Sequence, residues 1–274
     1  MSAGLSIIIP ASNEGPWIGA CLAALAASDP APEGPVQVIT VANGCTDDTA
    51  AQARACAPQI EARGWNLTVL DLARGSKPAA LNAGDAAARH PARLYLDADV
   101  RPDPPLLAQI VSALSTADPR YITGTPRIAP PRSHVTRLYA RAWSHVPFNR
   151  STAPGYGLFA LTPAARARWQ DWPDIISDDT FARLHFTPAE RVQLPGGYDW
   201  PLPEGLRNMI RVRARQDRGI RQIAARYPHL LANDTKPATR LTQLLRAAPL
   251  GTVVYSAVIL LARLQTSSDW TRGR

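Results

Sequence analysis

Arg93-Leu94-Tyr95-Leu96-Asp97-Ala98-Asp99-Val100 is a short apolar segment that runs straight into two carboxylates. Pro91 and Pro102 bound it, and its length and flanks suit a buried strand better than a helix. Strand period is two, so Asp97 and Asp99 project to the same side. Two carboxylates at the carboxyl end of a core strand repel each other and resist burial unless a cation sits between them. That end of an open α/β sheet is also where ligands bind. The alternative is a strand that closes in a solvated acidic turn.

Outward from this stretch, the pattern repeats. Leu5–Pro10 is a continuous apolar run, as expected of a strand covered on both faces. Asn13 and Glu14 lead into Pro16, and Ile18, Cys21, Leu22 and Leu25 recur at helical spacing. Val36–Val41 predicts a second strand, followed by a turn in which Thr46 caps a helix and Asp47 and Asp48 face the positive end of its dipole. Leu67–Leu72 predicts a third strand, and Gly75-Ser76-Lys77-Pro78 opens an alanine-rich helix through Ala88. Alternating strands and helices of this length predict a mostly parallel α/β sheet with helices on both faces. Its carboxyl-end loops bring Asn13, Glu14, Asn43, Lys77, Asp97 and Asp99 into one crevice.

Composition sets the outer bounds. The chain has 274 residues, 46 % of them hydrophobic, enough for one large α/β domain or two small ones and unlike a disordered chain. Met1–Gly4 lead directly into the first strand, with no signal peptide expected. Cys21, Cys45 and Cys56 are odd in number, lack metal-ligand spacing and suit structural thiols in a cytoplasmic protein. A net charge of +8 favours anionic partners: nucleotide phosphates, nucleic acid or the inner membrane surface.

The runs IIIPASNEG, VANGCTDDT, GSKPAALNAG and LYLDADV, in that order and spacing, resemble a family 2 glycosyltransferase over residues 5–225. The resemblance implies the GT-A fold, a Rossmann-like, mostly parallel sheet flanked by helices. It also implies inverting transfer from a nucleotide-diphosphate sugar to a hydroxyl-bearing acceptor (a glycolipid, polysaccharide or small molecule), with Mg²⁺ or Mn²⁺ as cofactor. On this reading residues 1–226 form the transferase domain, 1–100 its donor half and 101–226 its acceptor half. Residues 227–274 form a carboxyl-terminal helical tail. No nucleic-acid partner is expected.

The implied donor-binding residues are Pro10, Ser12, Asn13, Glu14, Asn43, Lys77, Asp97, Ala98, Asp99 and Arg215. Asp99 is the implied direct metal ligand, and Asp97 faces the ribose or reaches the ion through water. Lys77 meets phosphate or nucleotide, unless it is simply solvated. The family carries paired aspartates where Ala42-Asn43 stand here; asparagine donates as well as accepts, so Asn43 either contacts the base or stabilises the turn. Gly155, Tyr156 and Gly157 match a glycine-bearing loop beside the acceptor.

In Ile176-Ser177-Asp178-Asp179-Thr180 the resemblance makes Asp179 the general base and Asp178 its acidic neighbour, with helix capping as the alternative or accompanying role. From Leu206 the chain is strongly basic. Arg215 and Gly219 retain part of a diphosphate-holding motif, while Val212 and Gln216 replace its glutamine and tryptophan. The other arginines form a solvated face or meet anionic lipid. Leu241–Leu264 is largely apolar, and Ala247–Ala262 is uncharged but shorter than the roughly 20 residues that span a bilayer. It predicts an interfacial helix at the inner face of the plasma membrane, or a buried helix or dimer contact.

Two other classes compete. A nucleotidyltransferase shares the nucleotide fold and acidic pair, but its first strand leads into a glycine-rich basic loop, which Ala11-Ser12-Asn13-Glu14 is not. A non-catalytic basic binding protein accounts for the arginines and leaves Asp97, Asp99 and Asp179 unexplained.

Overall fold

The computed structural model describes residues 4–30, 34–150, 153–235 and 237–265. In chain order the elements are β1 (Leu5–Ala11), α1 (Gly15–Ala26), β2 (Val36–Asn43), α2 (Thr49–Ala55), α3 (Ala57–Glu61), β3 (Asn66–Leu72) and α4 (Lys77–Ala87). They continue with β4 (Ala92–Leu96), β5 (Arg101–Pro102), α5 (Pro104–Ala113), β6 (Tyr121–Ile128), α6 (His134–Trp143), β7 (Leu158–Leu161), α7 (Pro163–Arg166) and α8 (Asp178–Leu184). The last are β8 (Arg191–Trp200), α9 (Leu206–Arg226), α10 (Leu241–Ala247) and α11 (Pro249–Leu264).

The chain divides into two compact units. The first takes the chain up to Arg127, Gly155–Asp174 and His185–Trp200; the second takes Ile128–Pro154, Ile175–Leu184 and everything from Pro201. The long helix α9 shares packing with α6 and α11, so it groups with the carboxyl-terminal helices.

The first unit is built on one sheet, in the order β3-β2-β1-β4-β7-β6-β8-β5 among the described residues. β3, β2, β1 and β4 are mutually parallel, with Ile8 opposite both Ile39 and Tyr95. β7 joins β4 antiparallel, and β6–β7 and β5–β8 are antiparallel as well. Every residue of β2, and every residue of β1 but Pro10, is buried, which suits their largely apolar sequence; of the polar exceptions, the Ser6 hydroxyl donates to the Gln37 side chain at 3.0 Å. α1 buries Ile18, Cys21, Leu22 and Leu25 against the sheet's core. α4 is capped by Ser76, whose hydroxyl accepts from the Ala79 amide, and carries Pro78 in its first turn. Gly84 lets α4 lie directly on β1, because a Cβ there would strike Ile8.

The second unit is helical. Its core is α11 packed on α6 and α9. Gly251 brings α11 onto the Leu138 carbonyl of α6, and the Tyr139 and Tyr255 rings meet 5.4 Å apart. Glu204 accepts from the Arg132 and Ser133 amides at the start of α6. The apolar tail, read as one segment from Leu241 to Leu264, is two helices. The break falls at Ala248, whose helical conformation is disfavoured by the following Pro249.

Candidate active site

β1 lies between β2 and β4, so the carboxyl ends of these three parallel strands are neighbours and their loops meet. Side chains bind these loops together. Asn13 sits at φ 52°, a left-handed conformation asparagine tolerates, and its Oδ1 accepts from the Thr46 amide at 2.7 Å. Asp47 receives the Gly15 amide at 3.1 Å on one oxygen, and the Thr49 amide and hydroxyl on the other. The Glu14 amide donates to the Thr49 hydroxyl at 2.7 Å. Thr46 is therefore not the helix cap expected from sequence; Asp48 precedes the first residue of α2, and Asp47 satisfies the Thr49 amide.

Asn43 is 3 % exposed. Its amide nitrogen donates to the Ala11 carbonyl at 2.8 Å and the Val41 carbonyl at 3.4 Å, and its oxygen accepts from the Ser76 amide at 3.1 Å. One side chain thus ties the ends of β1 and β2 to the start of α4. These bonds describe the turn-stabilising role that the sequence left open. Next to it, Gly44 at φ 56° passes against the Gly75 backbone, where no Cβ fits. Asn43→Ala is expected to cost about 1–3 kcal/mol, because the partly buried Ser76 amide and the buried Ala11 carbonyl lose a partner; urea midpoints would measure this.

The Asp47 carboxyl is opposed by partial burial, but the bonds from Thr49 and Gly15 outweigh that and hold its pKa below the usual carboxylate value. The stability it lends is complete above its unfolded value, about 4, and is lost as pH falls through the lower folded value. Thermal melts of the wild type should therefore lose stability below about pH 4 more steeply than those of Asp47→Asn.

β4 ends at Leu96, before the acidic pair, so Asp97 and Asp99 are not on the strand expected from sequence but in a turn closed by the Val100 amide, which donates to the Asp97 carbonyl at 3.1 Å. Leu96, Ala98 and Val100 are buried, whereas Asp97 and Asp99 are partly exposed. The Asp97 amide donates to the Gly157 carbonyl at 2.8 Å, and its carboxylate pairs with the Lys77 ammonium at 2.9 Å. Lys77 thus reaches the acidic motif across the loops from the first turn of α4. Gly157, at φ 62°, packs against Asp97, Val100 and Trp200 with no room for a side chain. Tyr156 stacks on Trp200, centroids 5.0 Å apart. Trp200, missed in the sequence, ends β8 behind Pro195-Gly196-Gly197, which hides the strand pattern. Pro10 and Ser12 lie on and just after β1, with Ser12 buried.

The remaining site candidates belong to the second unit. Asp178 and Asp179 occupy the first turn of α8, where Asp178 is buried and Asp179 partly exposed. The Phe181 amide donates to the Ser177 carbonyl, so the helix starts at this pair. α9 holds their approach. Gly219 admits the Ser177 side chain, and the Ile176 amide donates to Gln222 at 2.9 Å. Arg215 lies half-buried on α9, one turn before Gly219.

Among the described residues no group of three or more His, Cys, Asp or Glu gathers as a metal site. Two partly exposed carboxylates, Asp97 and Asp99, nevertheless fit a hard divalent ion that completes its shell with phosphate and water oxygens.

A parallel half-sheet with an acidic strand end at its switch point and an antiparallel extension is the architecture of a GT-A glycosyltransferase. The chain belongs to glycosyl transferase family 2, whose sequence model matches residues 6–172. It is similar in structure to a mannosyltransferase from Pyrobaculum calidifontis solved with GDP-Man and Mn²⁺, at 21 % identity and TM-score 0.63, over 97 % of this chain and 77 % of that one. It is also similar to the glucosyl-3-phosphoglycerate synthase of Mycobacterium tuberculosis, at 18 % identity and TM-score 0.54, over 86 % and 82 % of the two chains. S. aureus TarS 1–349 in complex with UDP matches at 12 % identity and TM-score 0.54, over 99 % and 95 %. No curated protein matches in sequence.

Proposed function

We propose that this glycosyltransferase inverts configuration while moving a sugar from a nucleoside-diphosphate donor to an acceptor hydroxyl, with a divalent cation at Asp99. The observation that carries this reading is the set of side-chain bonds that closes three carboxyl-end loops around two partly exposed carboxylates. GDP-Man in the mannosyltransferase and UDP in TarS support a nucleoside diphosphate as the leaving group, and Mn²⁺ in the mannosyltransferase and in a further structure of the glucosyl-3-phosphoglycerate synthase, solved with UDP, supports the cation.

In the proposed reaction Asp179 takes the proton of the acceptor hydroxyl as its oxygen bonds to the anomeric carbon. The bond from that carbon to the diphosphate breaks on the opposite face, and the diphosphate leaves with the electron pair. Mg²⁺ or Mn²⁺, when bound, neutralises charge building on the departing diphosphate. Asp97, held by Lys77, orients the donor beside Asp99. Ser12, Asn13, Glu14 and Ala98 shape the donor pocket, and Asn43 acts by fixing its loops. Arg215, as a guanidinium, suits the diphosphate. Gly155, Tyr156 and Gly157 flank the acceptor, with Trp200 backing Tyr156. The protein is proposed to work at the cytoplasmic side of a membrane, on an acceptor that is free or lipid-linked. Among the described residues no helix is long and apolar enough to cross one.

A thermal-shift screen of nucleoside diphosphates and their sugars, with and without Mn²⁺, tests the reading, because a bound donor raises stability by mass action. A Mn²⁺-dependent rise with at least one nucleoside diphosphate is expected. Its absence across UDP, GDP, ADP, CDP and dTDP would overturn the donor assignment.

A further inference from the structure

Both carboxyl-terminal helices of the second unit leave one face uncovered. α11 buries Gly251, Thr252, Tyr255, Val258 and Ala262. Its opposite stripe, Leu250, Val253, Leu260 and Leu264, is 61–70 % exposed. These positions span about 80° of helix surface at 100° per residue. On α10, Leu241 and Leu245 are one turn apart and also exposed. Isolated exposed leucines are ordinary, but these six exposed large apolar residues on two successive helices are not.

The charge carried along these two helices has one sign. No acidic residue occurs between Asp234 and Asp269, while Arg240, Arg246 and Arg263 flank the helices and are exposed. A second copy of the same face would bring two basic rims together. An anionic surface complements them. α11, at 16 residues, is about 24 Å long and shorter than a bilayer-spanning helix, so it suits lying along the interface.

We infer that the leucine stripe of α10 and α11 docks the protein on an anionic lipid bilayer, with the leucines at the acyl boundary and Arg240, Arg246 and Arg263 among the headgroups. This rests on the proposed membrane association and assigns the surface that makes it. The same surface holds the second unit at the bilayer, where lipid-linked hydroxyl acceptors are found.

Co-sedimentation of the full chain with vesicles tests the assignment. An equimolar phosphatidylglycerol–phosphatidylcholine mixture is compared with pure phosphatidylcholine, at low and high salt. Binding to the mixed vesicles is expected, weakening with salt. Arg246→Gln and Arg263→Gln should each weaken it about fivefold. Val253→Gln combined with Leu260→Gln should weaken it at least about tenfold. Both pairs are exposed, and an unchanged donor-induced thermal shift in the same samples confirms that they fold.

Wild-type binding that survives Val253→Gln/Leu260→Gln would overturn the surface and leave membrane association standing. Absence of wild-type binding would overturn both, without touching the donor assignment. Conversion of a dimer to a monomer by the double variant, with vesicle binding unchanged, would make the stripe a self-interface and also overturn the assignment.

Discussion

Asp179→Asn is expected to lower kcat by about 10²–10⁴-fold while leaving the donor-induced thermal shift near its wild-type size. The substitution preserves shape and removes the ability to accept a proton. Asp179 is suited to the role by its place in the first turn of α8, partly exposed, next to the buried Asp178. The Asp179 carboxylate also accepts from the Thr180 amide at 2.6 Å, but an asparagine oxygen can accept the same bond, so lost helix capping does not account for such a fall. Asp99→Asn gives the contrasting pattern. It should abolish the Mn²⁺-dependent part of the donor shift along with turnover, because it removes the proposed metal ligand. Single-turnover kinetics read beside thermal shifts separate the two. Equal loss of donor binding in both variants would remove the base assignment.

Asp85→Ala is expected to destabilise the fold by about 3–5 kcal/mol, the largest effect on stability. The Asp85 carboxylate pairs with Arg93 at 2.9 Å and Arg166 at 2.9 Å. It also accepts from the Tyr95 hydroxyl at 2.8 Å and the Trp172 indole at 2.9 Å. All of these groups are largely buried behind β4. Burial, and then the neighbouring carboxylate, raise the Tyr95 phenol well above its ordinary pKa, so it remains a donor. Removing Asp85 leaves two guanidiniums facing each other with no carboxylate between them, close to the strand that presents Asp97 and Asp99. A urea midpoint within experimental error of wild type would show that the arginines find solvent instead. Asp85→Asn should fall between, because the amide still accepts but no longer neutralises.

Much of the donor side could be read from the sequence. The apolar runs of β1, β2 and β4 and the helix starts at Pro16 and Pro78 carry strong local signals, and their parallel order follows from alternation. The acidic motif was visible for the same reason, as charge directly after a core strand. What stayed hidden depends on partners distant in the chain. Asp85 in an alanine-rich helix reads as a solvated acid until Arg166 and Trp172 arrive. Asp47 reads as a helix-dipole charge, whereas it holds the β1 loop through the Gly15 amide. Lys77 reads as a phosphate contact, and its ion pair with Asp97 depends on how α4 lies beside β4. β8 was masked by its internal glycines and proline, and with it Trp200.

The asparagine at 43 also gains a physical reason. Its amide nitrogen faces the carbonyls of Ala11 and Val41. A carboxylate there would present oxygen to oxygen, so the departure from the family's paired aspartates fits the local hydrogen bonding.

The interleaving of the two units bears on how the chain is made. α6 leaves the ribosome between β6 and β7, yet the surface that covers Tyr139 and the Leu138 carbonyl is carried by α11. Everything from Trp143 to Pro249 must be synthesised in between. The sheet therefore has all its strands before the helical unit has its core, and α6 waits with an apolar face open to solvent. Such late, distant closure slows folding and makes this interval the point where chaperone capture or aggregation competes with it.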